Sequence, residues 1–192
     1  MNALVIGRTK HDPPGTHSAP SSLLVDWDKI KQPDCLVIKT HYDRVGNIKA
    51  DMAVTCERNP IFQEQAKVSE CPIYWGIREG VNPKQFPEAI AEVTPFAYDS
   101  GQYGIWRAIQ EGATIIYTIG LDMAFYHNGI LKKNRFDDHS NGVQRADNSP
   151  WHYYRNMYGL ATLCFKYGVQ IFKATDESRM PCPVNWPFGG EV

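Results

Sequence analysis

Ser100-Gly101, and the polar residues beyond the next apolar run, hold most of the groups in this sequence that could do chemistry. Ser100 offers a hydroxyl, and Gly101 offers a bare backbone N–H in a residue free to take positive φ. Gly120 and Asp122 end the β-branched run Thr114–Ile119, giving it a polar tip. Past that tip, residues 124–149 gather Tyr126, His127, Lys132, Lys133, Arg135, Asp137, Asp138 and His139 with few aliphatics. His152 follows, where helical spacing resumes. Histidine is a natural proton acceptor near neutral pH, and a helix start favours anions. His152 reads equally as a surface histidine beside Trp151. A rival grouping, His127, Asp137, Asp138 and His139, has the N and O donors of a divalent-metal site. Crowded charge in a hydrophilic loop is more often only solvated, so no metal ligand is assigned. A thiol nucleophile is weaker still, because no cysteine sits beside a histidine in sequence.

These residues need elements to position them. Tyr103, Ile105, Trp106 and Ile109 recur at helical spacing, and Gly112 stands where that helix stops. Thr114–Ile119 then suits a strand buried on both faces of a parallel sheet. Ala3–Gly7 is a first strand; the loop from Arg8 to Pro20 has no GxGxxG fingerprint. A helix is predicted from Pro20-Ser21, with Leu24, Trp27 and Ile30 behind its cap, broken at Gln32-Pro33-Asp34. Cys35–Lys39 reads as a second strand tipped by Thr40, His41 and Tyr42, and Asp51–Thr55 as a third with Glu57, Arg58 and Asn59 at its mouth. Pro72–Trp75 is a fourth; Gly76 to Thr94 reads as an irregular connection with a short helical turn. A helix from Trp151 to Tyr167, a last strand Val169–Phe172 and a surface tail from Met180 complete the chain.

Strand and helix alternate throughout. The reading is one α/β domain over residues 1–192, Rossmann-like, with a mostly parallel sheet, helices on both faces and a polar lid insertion at about 124–150. Right-handed crossovers would bring the polar strand tips to one edge, where such sheets bind ligands. The 192 residues carry a formal net charge of −1, which gives no basic field for nucleic acid. No apolar run reaches the ~18 residues of a membrane span. The odd count of 5 cysteines argues against a disulfide framework, and a cytoplasmic location is expected. A homo-oligomer is left open.

The ordered series Ser100-Gly101, Ala108, Gly112, Ile116-Tyr117, Gly120-Leu121-Asp122, Tyr126-His127-Asn128-Gly129, Phe136-Asp137 and Asp147-Asn148-Ser149 resembles the bacterial lipooligosaccharide sialyltransferases that use CMP-sialic acid. Upstream, Pro20-Ser21 with Val25-Asp26-Trp27, and Asn59-Pro60, are similar to the same family. The resemblance implies a metal-independent glycosyltransferase needing no cofactor, with a nucleotide sugar and a glycan acceptor as partners. It implies nucleotide contacts from Gly7, Ser21, His41, Asn59, Ser100, Gly101 and Asp122; apart from the resemblance, the charges of Lys132, Lys133 and Arg135 make them phosphate-facing candidates in the lid. Tyr126 would hydrogen-bond the leaving phosphate. The family's base is a histidine shortly after Asp-Asn-Ser; His152 lies closest, while Tyr153 falls on the strict alignment. His41 stands where the family has asparagine. The chain also departs from the family in its long first loop, Arg8 to Ser21, and in carrying Asn134 and Arg135 where a second lid tyrosine is expected. Those departures suit an alternative, a nucleotide-sugar binding module of the same fold without turnover.

Overall fold

The computed structural model describes residues 1–9, 12, 20–57, 60–96, 99–121, 125–127, 130–132, 159–162, 164–178 and 180–190. The apolar run after the N-terminus forms β1 (Asn2–Ile6), and Pro20-Ser21 opens a short helix, α1 (Pro20–Leu23). β2 (Leu36–Thr40) follows, then a small hairpin, β3 (Arg44–Val45) with β4 (Ile48–Lys49), turning at Gly46-Asn47. β5 (Met52–Thr55), α2 (Pro60–Val68), β6 (Ile73–Ile77), a 3₁₀ turn over Pro83–Gln85 and β7 (Ile90–Val93) complete the first half. α3 (Ser100–Gln110) leads into β8 (Ile115–Ile119), then β9 (Phe125–His127), β10 (Ile130–Lys132) and β11 (Gln170–Lys173).

Seven strands make one sheet in the order β11-β8-β1-β2-β5-β6-β7, and each neighbouring pair is parallel. β1, β2, β5 and β8 are buried almost throughout, as strands covered on both faces must be. Alternation sorts their side chains. Ala3, Val5, Ile38, Val54 and Ile116 face α3 and the helical residues 159–162 and 164–166, where Tyr103, Ile105, Leu160 and Cys164 are buried. Leu4, Ile6, Val37 and Ile119 face the other way, onto Val25, Trp27, Ile30, Ile48 and Trp186. α2 is on that second side too, where its Ala66 packs by Trp75, Ile77 and Phe86. Fully burying one such large side chain contributes ~1.5–3 kcal/mol.

Several expectations change. The helix predicted to run past Trp27 ends at Leu23. In a continued helix the Asp26 N–H would bond Ser22 O; instead it donates to Gly190 O (2.7 Å), and Ser22 O accepts the Trp27 indole N–H (2.9 Å). Val25, Trp27 and Ile30 still reach the core, through a turn rather than a helical stripe. The stretch from Gly76 to Thr94 contains the expected helical turn and also an edge strand, β7. α2 and the β3–β4 hairpin were not foreseen. Within the expected lid, β9 and β10 pair antiparallel, with Ile130 opposite His127. Residues 133–150 lie outside the described residues. The tail is no surface strap either: Met180 and Trp186 are buried, Asn185 N–H donates to Lys173 O (2.9 Å), and the Phe188 ring meets Tyr117.

Candidate active site at the sheet's switch point

β1 lies inside the sheet, between β8 and β2. The chain builds outward from it through β2, β5, β6 and β7, then returns to lay β8 on its other side. The crevice beyond the carboxyl ends of β1 and β8 is therefore the switch point, where open α/β sheets bind ligands. The two strand exits are tightly joined. Gly7 N–H donates to Ile119 O (2.8 Å) and Arg8 N–H to Gly120 O (3.0 Å). Gly120, at φ +72°, donates its N–H to Ser21 Oγ (2.9 Å), which fixes the start of α1 to the same edge. A Cβ on Gly7 would fall 2.2 Å from Gly120 O and 2.4 Å from Leu121 Cδ2. One on Gly101 would also come within 2.4 Å of Leu121 Cδ2. The backbone of Gly120 requires glycine at position 7, independently of any ligand, whereas a side chain at position 101 would have only to displace the tip of Leu121.

The N-terminus of α3 points at this edge. Its capping oxygen belongs to Asp99, whose Oδ1 accepts the Gln102 N–H (3.0 Å). Ser100 Oγ accepts the Cys56 N–H (2.9 Å), linking the exit of β5 to the helix and leaving its own O–H as a donor. The Cys56 thiol is a poor nucleophile, because burial pushes its pKa well up.

His41 follows β2 at φ +69°, and no other non-glycine residue among those described has positive φ. That left-handed backbone costs roughly 1–2 kcal/mol for a residue with a Cβ. It is held by a His41 N–H bond to Val54 O (2.9 Å), a 3.1 Å bond between Nδ1 and Thr55 Oγ1, and a stack on Phe62 at 4.2 Å between ring centroids. Thr55 Oγ1 donates to Glu57 O (3.1 Å), so Nδ1 carries the proton in the bond to Thr55. At 3 % exposure His41 lies beneath the edge, shaping it.

The sequence reading passed over the group that organises the first loop. Lys39 is fully buried, and its ammonium donates to Gly7 O (2.7 Å), Thr40 O (3.1 Å) and Asp12 Oδ1 (3.0 Å). Asp12 also accepts from the Thr9 N–H (3.2 Å) and the Thr9 hydroxyl (3.0 Å). Burial lowers the Lys39 pKa, and Asp12 opposes that shift. The pair closes the turn from Arg8 to Asp12 against β1. A lysine ending the apolar run Cys35–Ile38 was the available signal; its partner, 27 residues away, was not. Tyr42 lies alongside, its ring centroid 5.4 Å from Lys39 Nζ. Its hydroxyl is buried and has no hydrogen-bond partner among the described residues. Arg8 stands over the same turn, loosely paired with Glu57 at 3.7 Å.

Gly7, Ser21, His41, Ser100 and Gly101 thus gather at the carboxyl edge of the sheet. Tyr126 and Lys132 lie in β9 and β10, where Tyr126 pairs with Leu131 and Lys132 with Phe125. Asn59, Asp122, Arg135 and His152 fall outside the described residues, as do Asp137, Asp138 and His139 of the rival metal grouping. Among the described residues no group of three or more His, Cys, Asp or Glu side chains is placed to hold a metal, and no helix is long and apolar enough to cross a membrane.

No protein-family model matches the sequence, and no curated protein does. Among solved structures, the chain is similar to the crystal structure of the monofunctional alpha-2,3-sialyltransferase Cst-I from Campylobacter jejuni, at 16% identity and a TM-score of 0.59. The match covers 100% of this chain and 84% of that one. At that identity the likeness is one of fold: the chain has the α/β, parallel-sheet architecture of that enzyme.

Proposed function

We propose that the protein is a glycosyltransferase that moves a sialic-acid-like sugar from a nucleotide donor, CMP-linked, to a glycan acceptor. The observation that carries this reading is the whole-chain likeness in fold to a sialyltransferase, together with the convergence of Gly7, Ser21, Ser100 and Gly101 on the switch-point crevice. The nucleotide would lie there, with Asn59 and Asp122 beside it and His41 shaping the floor. The transfer breaks the bond between the anomeric carbon and phosphate as the acceptor oxygen attacks that carbon. His152 takes the acceptor's proton as general base. Tyr126, Lys132 and Arg135 donate to the phosphate as it leaves with the bonding electrons. The segment from 124 to 150 would close over both substrates and exclude water. No metal and no cofactor enters this scheme.

The test is incubation with a panel of CMP-, UDP- and GDP-linked sugars, each with a glycan acceptor, while free nucleotide is measured. Release of CMP from one donor class, accelerated by acceptor, supports the reading. Saturable nucleotide binding without release from any donor would replace it with the binding module.

A further inference from the structure

We propose that Arg8, at the exit of β1, and Tyr42, just beyond β2, together form a phosphate-binding site at the carboxyl edge of the sheet, used for the phosphate of the bound nucleotide. This deepens the donor site proposed above, and rests on that reading only for the nucleotide that bears the phosphate.

Three observations meet at this point. The first is the Tyr42 hydroxyl, which is buried at 6 % residue exposure and has no partner among the described residues. Folding normally satisfies such a donor, because leaving it unmade in the interior is costly. Burial and the neighbouring Asp12 and Glu57 carboxylates raise its pKa, against Arg8, so it stays protonated and can donate. The second is Arg8, the residue immediately after the β1 exit, whose side chain is 27% exposed. Its ion pair with Glu57 is long, at 3.7 Å, and Glu57 is itself 33% exposed, so the planar fork of donors keeps capacity for an anion. The third is the rigidity beneath them. Lys39 and Asp12 satisfy one another in the dry interior, which fixes the turn carrying Arg8 and leaves neither charge to compete for a ligand. A protonated phenol beyond β2 and a guanidinium on the fixed turn after β1, brought near each other around Lys39 at the carboxyl edge of the sheet, match the oxygens of a phosphate.

The experiment compares thermal unfolding of the wild-type protein, Tyr42→Phe and Arg8→Gln, each without ligand and with inorganic phosphate, CMP or cytidine. Without ligand, Tyr42→Phe unfolds at or above the wild-type temperature, because the hydroxyl it removes has no internal partner. Phosphate and CMP stabilise the wild type. Each variant needs about tenfold more CMP for the same shift, the usual worth of one charge-assisted hydrogen bond, while its response to cytidine is unchanged. A clear loss of stability in ligand-free Tyr42→Phe would overturn the proposal, since the hydroxyl would then have a protein partner. Full CMP and phosphate responses in both variants, or no response in the wild type, would overturn it as well. CMP release from sugar donors with unaltered CMP binding in both variants would sink this site and leave the glycosyltransferase reading standing. Variant-sensitive phosphate binding with no turnover of any sugar nucleotide would do the reverse.

Discussion

Tyr103 and Tyr42 are both buried phenols, 0 % and 6 % exposed, at opposite ends of the polar chemistry of this fold. On α3, the Tyr103 hydroxyl donates to the Glu92 carboxylate of edge strand β7. Arg107 pairs with that same carboxylate and with Glu111, and lies 4.3 Å from the Tyr74 ring centroid. Every charge there has a counter-charge, and the cluster fastens an edge strand to a helix. At the carboxyl edge, the Lys39–Asp12 pair is equally complete, yet Tyr42 beside it has a bare hydroxyl and His41 holds a left-handed backbone. In the first region the phenol and the charges are all met. What is left over is the Arg107 Nε–H, buried without a hydrogen-bond partner among the described residues, on a guanidinium already neutralised by two carboxylates. The other retains an unmet donor and local strain, which is where a binding site is expected to show.

The comparison can be broken by substitution. The largest effect belongs to Asp12→Ala, which leaves the Lys39 ammonium buried and unpaired. Stability in urea should fall by about 3–5 kcal/mol, and a loss under 1 kcal/mol would mean that the pair does not fix the loop. Tyr103→Phe should cost about 1–3 kcal/mol, because the part-buried Glu92 loses its phenol donor. Tyr42→Phe should cost close to nothing in the same titration. Equal losses for the two tyrosines would erase the distinction between the regions.

A smaller effect follows from pH. Burial raises the thiols of Cys35, Cys164 and Cys182 from 9.0 to about 11 in the folded chain. The unfolded chain therefore loses these protons first, so their contribution is whole below pH 9.0 and is lost as pH rises to about 11. Denaturation midpoints taken across that window should decline. Replacing the three cysteines with alanine should flatten the decline, and an unchanged slope would assign it to other groups, the raised phenols of Tyr42 and Tyr103 among them.

The sheet was largely legible in the sequence, because a strand covered on both faces must be a short continuous apolar run. Ala3–Gly7, Cys35–Lys39, Asp51–Thr55 and Thr114–Ile119 each fall within a residue or two of the strand observed. The convergence of Gly7, Ser21 and Ser100 was implied by the resemblance, together with the rule that such sheets bind ligands at the carboxyl ends of their strands. What stayed hidden depends on distant partners. The spacing of Leu24, Trp27 and Ile30 suited a helix until Gly190 and the Trp27 indole took the backbone groups that it needed. Lys39 could be seen at the end of an apolar run, but not the aspartate that neutralises it. β7 escaped notice because an edge strand half open to solvent, with Ile90 and Val93 exposed, has no continuous buried run to betray it.

The most direct test of the proposed chemistry is the rate of CMP release from a CMP-linked sugar in the presence of acceptor, measured for the wild type and His152→Ala. The account predicts turnover in the wild type and a loss of about 10²–10⁴-fold in the variant, the usual worth of a positioned general base. CMP affinity should be unchanged, since the base acts on the acceptor. Full turnover in His152→Ala, or no release by the wild type from any sugar nucleotide, would contradict it.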